Sequence, residues 1–326
     1  MNTIQNMRAN TRVVFMGTPE FAVPSLDALL DAGYSIVGVV TVPDRKAGRG
    51  QKLTASAVKQ YAEEKEIPVL QPEKMKDEVF LQQLEAWQAD LFIVVAFRML
   101  PKQVWGMPRL GTFNLHASLL PSYRGAAPIN WAIINGEKRT GLTTFLLNER
   151  IDDGAIILQE ETAIDPEDNA GSLHDRLSEM GRSLVVRTAD LLASGSAQPH
   201  PQQLPSDAPA APKIFKSDCE IDWNRPGREV VNLVRGLSPY PAAYTTFETD
   251  KGEFLSCKIF DVSFEPNSSP TPGTITTDNK KHLKIAVKGG FISIYSLQLN
   301  GRKRISTEEF LRGYSIADWS IALCKE

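Results

Sequence analysis

The sequence predicts an α/β domain with a doubly wound, mainly parallel sheet, followed by a small β-barrel domain. Short runs at 12–17, 35–42 and 89–97 are almost wholly apolar, and helical patterns separate them. Continuous apolar strands are typical of a parallel sheet covered on both faces. Right-handed crossovers between such strands make the sheet doubly wound. After residue 213 the pattern changes to short alternating segments, which favour a barrel or a sandwich.

Each element has its own local cause. "RVVFMG" at 12–17 is rich in β-branched and aromatic residues and predicts the first strand. "PSLDALLDAG" at 24–33 begins with proline and ends on Gly33, as a helix with a C-terminal glycine does. Similar patterns predict a strand at 35–42, a helix at 55–65, a short strand at 68–71, a helix at 77–87 and a strand at 89–97.

A proline-rich segment separates two predicted domains. The stretch 194–213 contains five prolines and almost no large apolar side chains, so it reads as a linker. We therefore expect a catalytic domain at 1–193 and a C-terminal domain at 214–326. Within the latter, "REVVNLVRGL" at 228–237 predicts one helix among the short strands.

Composition excludes several classes of protein. The 326 residues are 42% hydrophobic and 23% charged, which is ordinary for a globular chain and argues against disorder. Neither a signal peptide nor a membrane-length apolar run is present, so we expect a cytoplasmic protein without a membrane partner. The three cysteines are far apart and indicate neither a disulfide framework nor a metal site.

The first strand turn argues against a dinucleotide enzyme. It reads "GTPEFAVPS" rather than G-x-G-x-x-G, and Pro19, Glu20 and Phe21 stand where bare backbone would cradle a pyrophosphate. Glu20 would also repel phosphate. A nicotinamide-dependent dehydrogenase is therefore disfavoured.

Polar chemistry is concentrated in "FNLHASLLPSYRGAAPINWA" at 113–132. Asn114 and His116 lie on the same side of a predicted strand because side chains alternate with period 2. Ligands of open α/β sheets bind at the carboxyl ends of the strands. An amide and an imidazole there could stabilise a carbonyl oxygen as it becomes an oxyanion. Taken alone, the same pair could equally be hydrogen-bonded structural groups.

A second polar element occurs in "NERIDDGAIILQ" at 148–159. Asp152 lies in an Asp-Asp-Gly turn that enters an apolar run, and its carboxylate could orient His116 and help to move a proton. A solvated turn without catalytic role explains the same residues. A serine hydrolase is less supported, since G-x-S-x-G does not occur.

Together these motifs resemble those of the folate-dependent formyltransferases. "NLHASLLPSYRGAAPINWAI" and "IDDGAIIL" are similar to the N-H-S-L-L-P and D-x-G elements of that superfamily. "FMGTPEFAVPSL" and "TVPDRKAGRGQKL" resemble the N-terminal motif and the tRNA-contacting loop of the branch that formylates methionyl-tRNA. The resemblance extends from about Arg12 to 244. It implies a Rossmann-like formyltransferase domain followed by an OB-like tRNA-binding domain.

The resemblance also implies an activity and a set of site residues. The expected reaction moves a formyl group from 10-formyltetrahydrofolate to the α-amine of methionine on initiator tRNA, for translation initiation, without a metal. The expected catalytic residues are Asn114, His116 and Asp152. Folate is expected to contact Ser118, Leu119, Leu120, Pro121, Phe97 and Leu100. Transfer RNA is expected to contact Arg45, Lys46, Arg49, Lys52, Lys213 and Lys216.

Some alternatives stay open at this level. "VVAFRMLPK" at 94–102 is shorter than the tyrosine-glycine version of many relatives, which leaves the pterin-pocket wall undecided. A formyltransferase acting on the amine of a sugar nucleotide would share the catalytic trio but leave the basic loop at 43–52 unexplained. A formyl hydrolase and a non-catalytic tRNA-binding protein are the other candidates. We expect a monomer, since nothing requires a dimer.

Overall fold

A computed structural model describes residues 3–47, 52–203, 205–268 and 271–322. Its helices are α1 (Thr3–Asn10), α2 (Val23–Asp31), α3 (Ala57–Glu64), α4 (Glu78–Ala86), α5 (Lys102–Trp105), α6 (Pro128–Ile134), α7 (Ala170–Ala193), α8 (Gly227–Leu237) and α9 (Thr307–Gly313). Its strands are β1 (Arg12–Gly17), β2 (Ser35–Val40), β3 (Arg45–Ala47), β4 (Lys52–Thr54), β5 (Val69–Leu70), β6 (Leu91–Val95), β7 (Thr112–His116), β8 (Arg124–Gly125), β9 (Arg139–Leu146), β10 (Ile156–Ala163), β11 (Ala210–Ala211), β12 (Ala243–Glu248), β13 (Phe254–Pro266), β14 (Ile275–Thr277), β15 (Leu283–Val287), β16 (Gly290–Leu299), β17 (Ile305–Ser306) and β18 (Ser320–Ile321).

The chain forms two compact units, of which the first comprises, within the described residues, 3–47, 52–125, 139–163, 174–203 and 205–210. Its seven-stranded sheet has the order β10-β9-β7-β6-β1-β2-β5. Strands β7, β6, β1, β2 and β5 are parallel, whereas β9 and β10 are antiparallel to their neighbours. The prediction of a doubly wound, mainly parallel sheet is confirmed. The order reverses at β1, and open α/β sheets bind ligands beside such a reversal.

Burial of β1 on both faces explains why its sequence is continuously apolar. Val13 and Phe15 point to one face, Val14 and Met16 to the other, and all four are fully buried. Leu91–Val95, the strand β6 beside it, is buried throughout in the same way. A strand covered on one face only would instead alternate apolar and polar residues.

Local capping chemistry sets the helix ends. In α2, proline occupies the first turn, and Gly33 follows the helix with φ +87°. The amides of Gly33 and Tyr34 donate to the carbonyls of Leu30 and Leu29, which forms a Schellman motif. Ser56 and Asp77 cap α3 and α4, where each side chain accepts a hydrogen bond from the amide three residues later. The predicted helices at 55–65 and 77–87 are therefore present with slightly shorter bounds.

The second unit comprises 126–138, 164–173 and 211–322 within the described residues. Its antiparallel, barrel-like sheet has the order β14-β15-β16-β13-β12-β18, and β17 pairs with β16. This confirms the prediction of a small β-barrel domain. The core includes Phe247, Phe310 and Trp319. The ring centroid of Trp319 lies 5.9 Å from that of Phe247 and 6.1 Å from that of Phe310. Helix α8 buries Val230 and Val234 against this core.

The predicted linker is held against the first unit over part of its length. The backbone of His200 exchanges two hydrogen bonds with Ile156 of β10, at 2.8 and 3.0 Å. The carbonyl of Pro209 accepts a hydrogen bond from the amide of Tyr123. The boundaries 1–193, 194–213 and 214–326 stay predictions for independently folding domains.

Candidate active site

Strand β7 carries the first two candidate catalytic residues. It lies parallel to β6 on one side and antiparallel to β9 on the other, so its backbone is hydrogen-bonded on both edges. His116 is buried, with 6% of its surface exposed, and Asn114 is half-buried. Within the described residues, the Asn114 carboxamide has no hydrogen-bond partner. Its N–H groups are therefore available to a ligand oxygen.

The two ring nitrogens of His116 have different environments. Nε2 lies 2.8 Å from the carbonyl oxygen of Tyr123. A carbonyl can only accept, so Nε2 carries a proton and donates it to this bond. Nδ1 lies 3.9 Å from Oδ2 of Asp152, which is beyond hydrogen-bond length. Nδ1 is thus the ring nitrogen at which a proton can be gained or lost.

Asp152 lies near His116 on a turn that is fixed by hydrogen bonds. Its carboxylate Oδ2 accepts a hydrogen bond of 2.9 Å from the amide of Gly125. Its backbone is in the left-handed region at φ +50°, and Tyr123 is also left-handed at +60°. Non-glycine residues in that region are uncommon and persist where the surroundings impose them. The two turns that face His116 are both of this kind.

Gly154 is required in the Asp-Asp-Gly turn because of close backbone packing. A Cβ added there would lie 1.6 Å from the carbonyl oxygen of Leu146, far inside van der Waals contact. The glycine of the D-x-G motif therefore allows the turn to lie against the end of β9. Only then can Asp152, two residues earlier, reach the neighbourhood of His116.

The expected folate segment 118–121 is hydrogen-bonded to two side chains, those of Thr143 and Gln159. Thr143 of β9 donates through Oγ1 to the carbonyl of Ser118 at 2.7 Å and accepts from the amide of Leu120 at 3.1 Å. Nε2 of Gln159 on β10 donates to the carbonyl of Leu120 at 2.8 Å and to Oγ1 of Thr143 at 2.9 Å. Ser118 and Leu120 are buried, whereas Leu119 and Pro121 are half-buried.

The other two expected folate residues lie just after β6. Leu100 is 7% exposed and belongs to a core cluster with Phe92 and Val104, while Phe97 is half-buried against the same cluster. Leu147 packs both on this cluster and on the one that contains Leu120. The structure thus brings these two parts of the expected folate site to neighbouring apolar clusters.

The basic loop is mounted on a two-stranded ribbon. Strands β3 and β4 are antiparallel, with Arg45 opposite Thr54 and Ala47 opposite Lys52. Arg45 and Lys46 are exposed. Arg49 lies outside the described residues. The carboxylate of Asp44, just before β3, accepts hydrogen bonds from Lys59 and Gln71.

Lys213 and Lys216 lie at the start of the second unit. Both are exposed. Their ammonium groups lie 5.6 Å from the ring centroid of Phe215 and 5.8 Å from that of Tyr244, respectively, which is cation–π distance. Phe215 is itself 60% exposed, so this surface presents both positive charge and an aromatic face.

Sequence reasoning missed the residues that hold the site together. Thr143 lies in β9, for which the sequence patterns predict no strand, and Gln159 lies in β10, at the end of the apolar run that follows the Asp-Asp-Gly turn. Tyr123 directly precedes β8, and Gln202 lies in the predicted linker 194–213. A polar residue on a buried strand is the one available signal, and it applies to Thr143, which is fully buried. Over the described ranges, no three His, Cys, Asp or Glu side chains are grouped to hold a metal ion, and no helix is long and apolar enough to cross a membrane.

Comparison with known proteins identifies the relatives of this chain. A family model described as formyl transferase matches residues 11–189, and one described as its C-terminal domain matches 213–315. Two relatives named methionyl-tRNA formyltransferase are each 52% identical: that of Bacteroides thetaiotaomicron over 95% of this chain and 98% of its own, and that of Flavobacterium johnsoniae over 94% and 97%.

A solved structure shows the same fold at low identity. It is an N-formyltransferase from Helicobacter canadensis in complex with folinic acid and dTDP-3-aminofucose, with a TM-score of 0.65 and 18% identity. The match covers 90% of this chain and all of that one. Because the family models and the full-length relatives agree, this chain belongs to the formyltransferase family.

Proposed function

We propose that this protein transfers the formyl group of 10-formyltetrahydrofolate to the α-amine of methionine on initiator tRNA. The observation that carries the proposal is the combination of three side chains, Asn114, His116 and Asp152. Among the residues that the structure describes, the Asn114 carboxamide and Nδ1 of His116 have no hydrogen-bond partner, and the Asp152 carboxylate lies 3.9 Å from that nitrogen. The relatives at 52% identity over nearly the full chain are named methionyl-tRNA formyltransferase, which supports the proposal.

The reaction forms one bond, breaks one bond and moves one proton. The neutral amine attacks the formyl carbon, and the bond from that carbon to N10 of the folate then breaks. The amine loses a proton and N10 gains one. His116 relays this proton through Nδ1, since Nε2 is occupied by the Tyr123 carbonyl. Asp152 lies beside Nδ1 and stabilises the imidazolium that forms.

Asn114 stabilises the oxygen of the tetrahedral intermediate. Its carboxamide is half-buried and has no hydrogen-bond partner among the described residues, so donation costs no existing bond. Fixed donors aimed at a developing oxyanion are typically worth about 100–1000-fold in rate. The folate contacts Ser118, Leu119, Leu120, Pro121, Phe97 and Leu100, of which all but Ser118 supply apolar surface for the pterin and benzoate rings.

The nucleic-acid partner is bound by charge. Arg45, Lys46, Arg49 and Lys52 bind phosphates of the tRNA through the loop on the β3–β4 ribbon, and Lys213 and Lys216 add contacts from the second unit. We place the enzyme in the cytoplasm, where charged initiator tRNA and folate are found together. We expect it to act as a monomer.

Radiolabelled 10-formyltetrahydrofolate tests this function directly. Purified protein is incubated with charged initiator Met-tRNA, with uncharged tRNA and with a UDP-amino sugar in separate reactions. Label on methionine alone is the expected result. Label on the sugar would instead identify a sugar-nucleotide formyltransferase, and release of free formate would identify a hydrolase. Absence of turnover in every reaction would overturn the proposal.

A further inference from the structure

The side chain of Gln202 connects two turns of the candidate active site, 123–125 and 152–154. Gln202 lies in the proline-rich segment 194–213. Its Nε2 donates to the carbonyl of Asp152 at 3.0 Å and to that of Gly154 at 2.8 Å. Both of its amide protons are therefore used on the turn that carries the Asp152 carboxylate.

The amide oxygen of Gln202 binds the other turn, 123–125, through the side chain of Arg124. Oε1 of Gln202 accepts from the guanidinium of Arg124, at 2.6 Å from one terminal nitrogen and 3.2 Å from Nε. That guanidinium also pairs with the carboxylate of Asp153 at 2.7 Å, and both partners are mostly buried. A flipped amide would place its oxygen against two carbonyls and its N–H groups against a cation. The orientation of Gln202 is therefore determined by its neighbours.

These contacts join the two turns that face the imidazole. Tyr123 accepts from Nε2 of His116, and Gly125 donates to the carboxylate of Asp152. Arg124 lies between these two residues, and its side chain is bound to Gln202. The left-handed backbone of Asp152, at φ +50°, is thus fixed by a side chain 50 residues away.

We propose that Gln202 is a positioning residue that holds the Asp152 carboxylate beside Nδ1 of His116, with Arg124 as its anchor. This inference rests on the proposed function for its kinetic consequences. When Gln202 is removed, the turn 152–154 loses two hydrogen bonds, and the carboxylate is free to move away from the imidazole. A displacement of about 1 Å in a catalytic group can lower the rate by roughly 100-fold.

A double-mutant cycle on single-turnover formyl transfer tests the proposal. Gln202→Met keeps the length of the side chain but removes its hydrogen bonds. The neighbouring Gln203 is exposed, so Gln203→Met is a matched control. Asp152→Asn supplies the second arm, because asparagine tolerates the left-handed backbone. We expect Gln202→Met to lower the rate by about 10–100-fold in the native background and by less than about threefold beside Asp152→Asn.

Two kinetic outcomes would overturn the proposal. One is a near-native rate for Gln202→Met, and the other is an equal loss in both backgrounds, which would mean that Gln202 does not act through Asp152. Gln203→Met should match the native enzyme in every arm. If Gln202→Met does not fold, Arg124→Lys replaces it, since lysine keeps the charge opposite Asp153 but lacks the planar set of donors.

An NMR readout separates this proposal from the proposed function. The chain contains four histidines, whose ring nitrogens can be labelled with ¹⁵N and assigned by substitution. We expect the ring signals of His116 to change in Gln202→Met and not in Gln203→Met. Unchanged His116 signals in both variants would refute the positioning role. If the native protein transferred formyl to no amine, the proposed function would be refuted. The NMR comparison of Gln202→Met with Gln203→Met would still decide whether Gln202 positions Asp152 beside His116.

Discussion

Substitution of Thr143 tests how the folate segment is supported. Its hydroxyl group uses its full hydrogen-bonding capacity: it donates to the Ser118 carbonyl and accepts from the Leu120 amide and from Gln159. The residue has no exposed surface. Thr143→Val has nearly the same shape and removes all three bonds at once.

The expected loss can be worked out from those contacts. Thr143→Val leaves the buried Ser118 carbonyl and Leu120 amide without this partner, at about 1–3 kcal/mol each. The freed N–H of Gln159 can reach water, because that side chain is exposed. The added methyl group offsets part of the cost through about 0.8 kcal/mol of burial. We therefore expect the free energy of unfolding to fall by about 1–5 kcal/mol, measured by urea denaturation.

Thr143→Ser is the matched control because it keeps the hydroxyl group. It should lose only about 1 kcal/mol, for one buried methyl group. Thr143→Val should also bind 5-formyltetrahydrofolate more weakly than Thr143→Ser, since the 118–121 segment loses its support from β9. Equal stability and equal folate affinity in the two variants would refute this account of the segment.

Three further predictions address other parts of the structure. Asn114→Ala should lower single-turnover formyl transfer by about 100–1000-fold with little change in folate affinity, and a near-native rate would exclude an oxyanion role. Gly154→Ala should lower the melting temperature, because its Cβ would meet the Leu146 carbonyl at 1.6 Å, whereas Gly313→Ala, with open space around it, should not. Burial raises the pKa of the Cys257 thiol to about 12, so native protein at pH 8 should resist iodoacetamide at this cysteine until urea is added. Rapid native-state alkylation there would contradict its burial.

The sequence by itself determined the layers of the fold and the chemical types at the site. The apolar runs of β1 and β6 predict buried parallel strands, because a strand covered on both faces must be apolar on both. Period-2 alternation puts Asn114 and His116 on one side of β7, and this depends only on local backbone geometry. The Asp-Asp-Gly turn is visible in the sequence as a turn entering an apolar run.

Only the tertiary structure decided which groups meet at the site. The strands β9 and β10 form an antiparallel pair at one edge of the parallel sheet, which places Thr143 and Gln159 under the 118–121 segment. Gln202 reaches Asp152 across 50 residues and Arg124 across 78. Sequence periodicity reports on local backbone and burial, whereas contacts between residues so far apart depend on the path of the whole chain. For that reason a glutamine in an apparent linker carries no sequence signal of its part in the site.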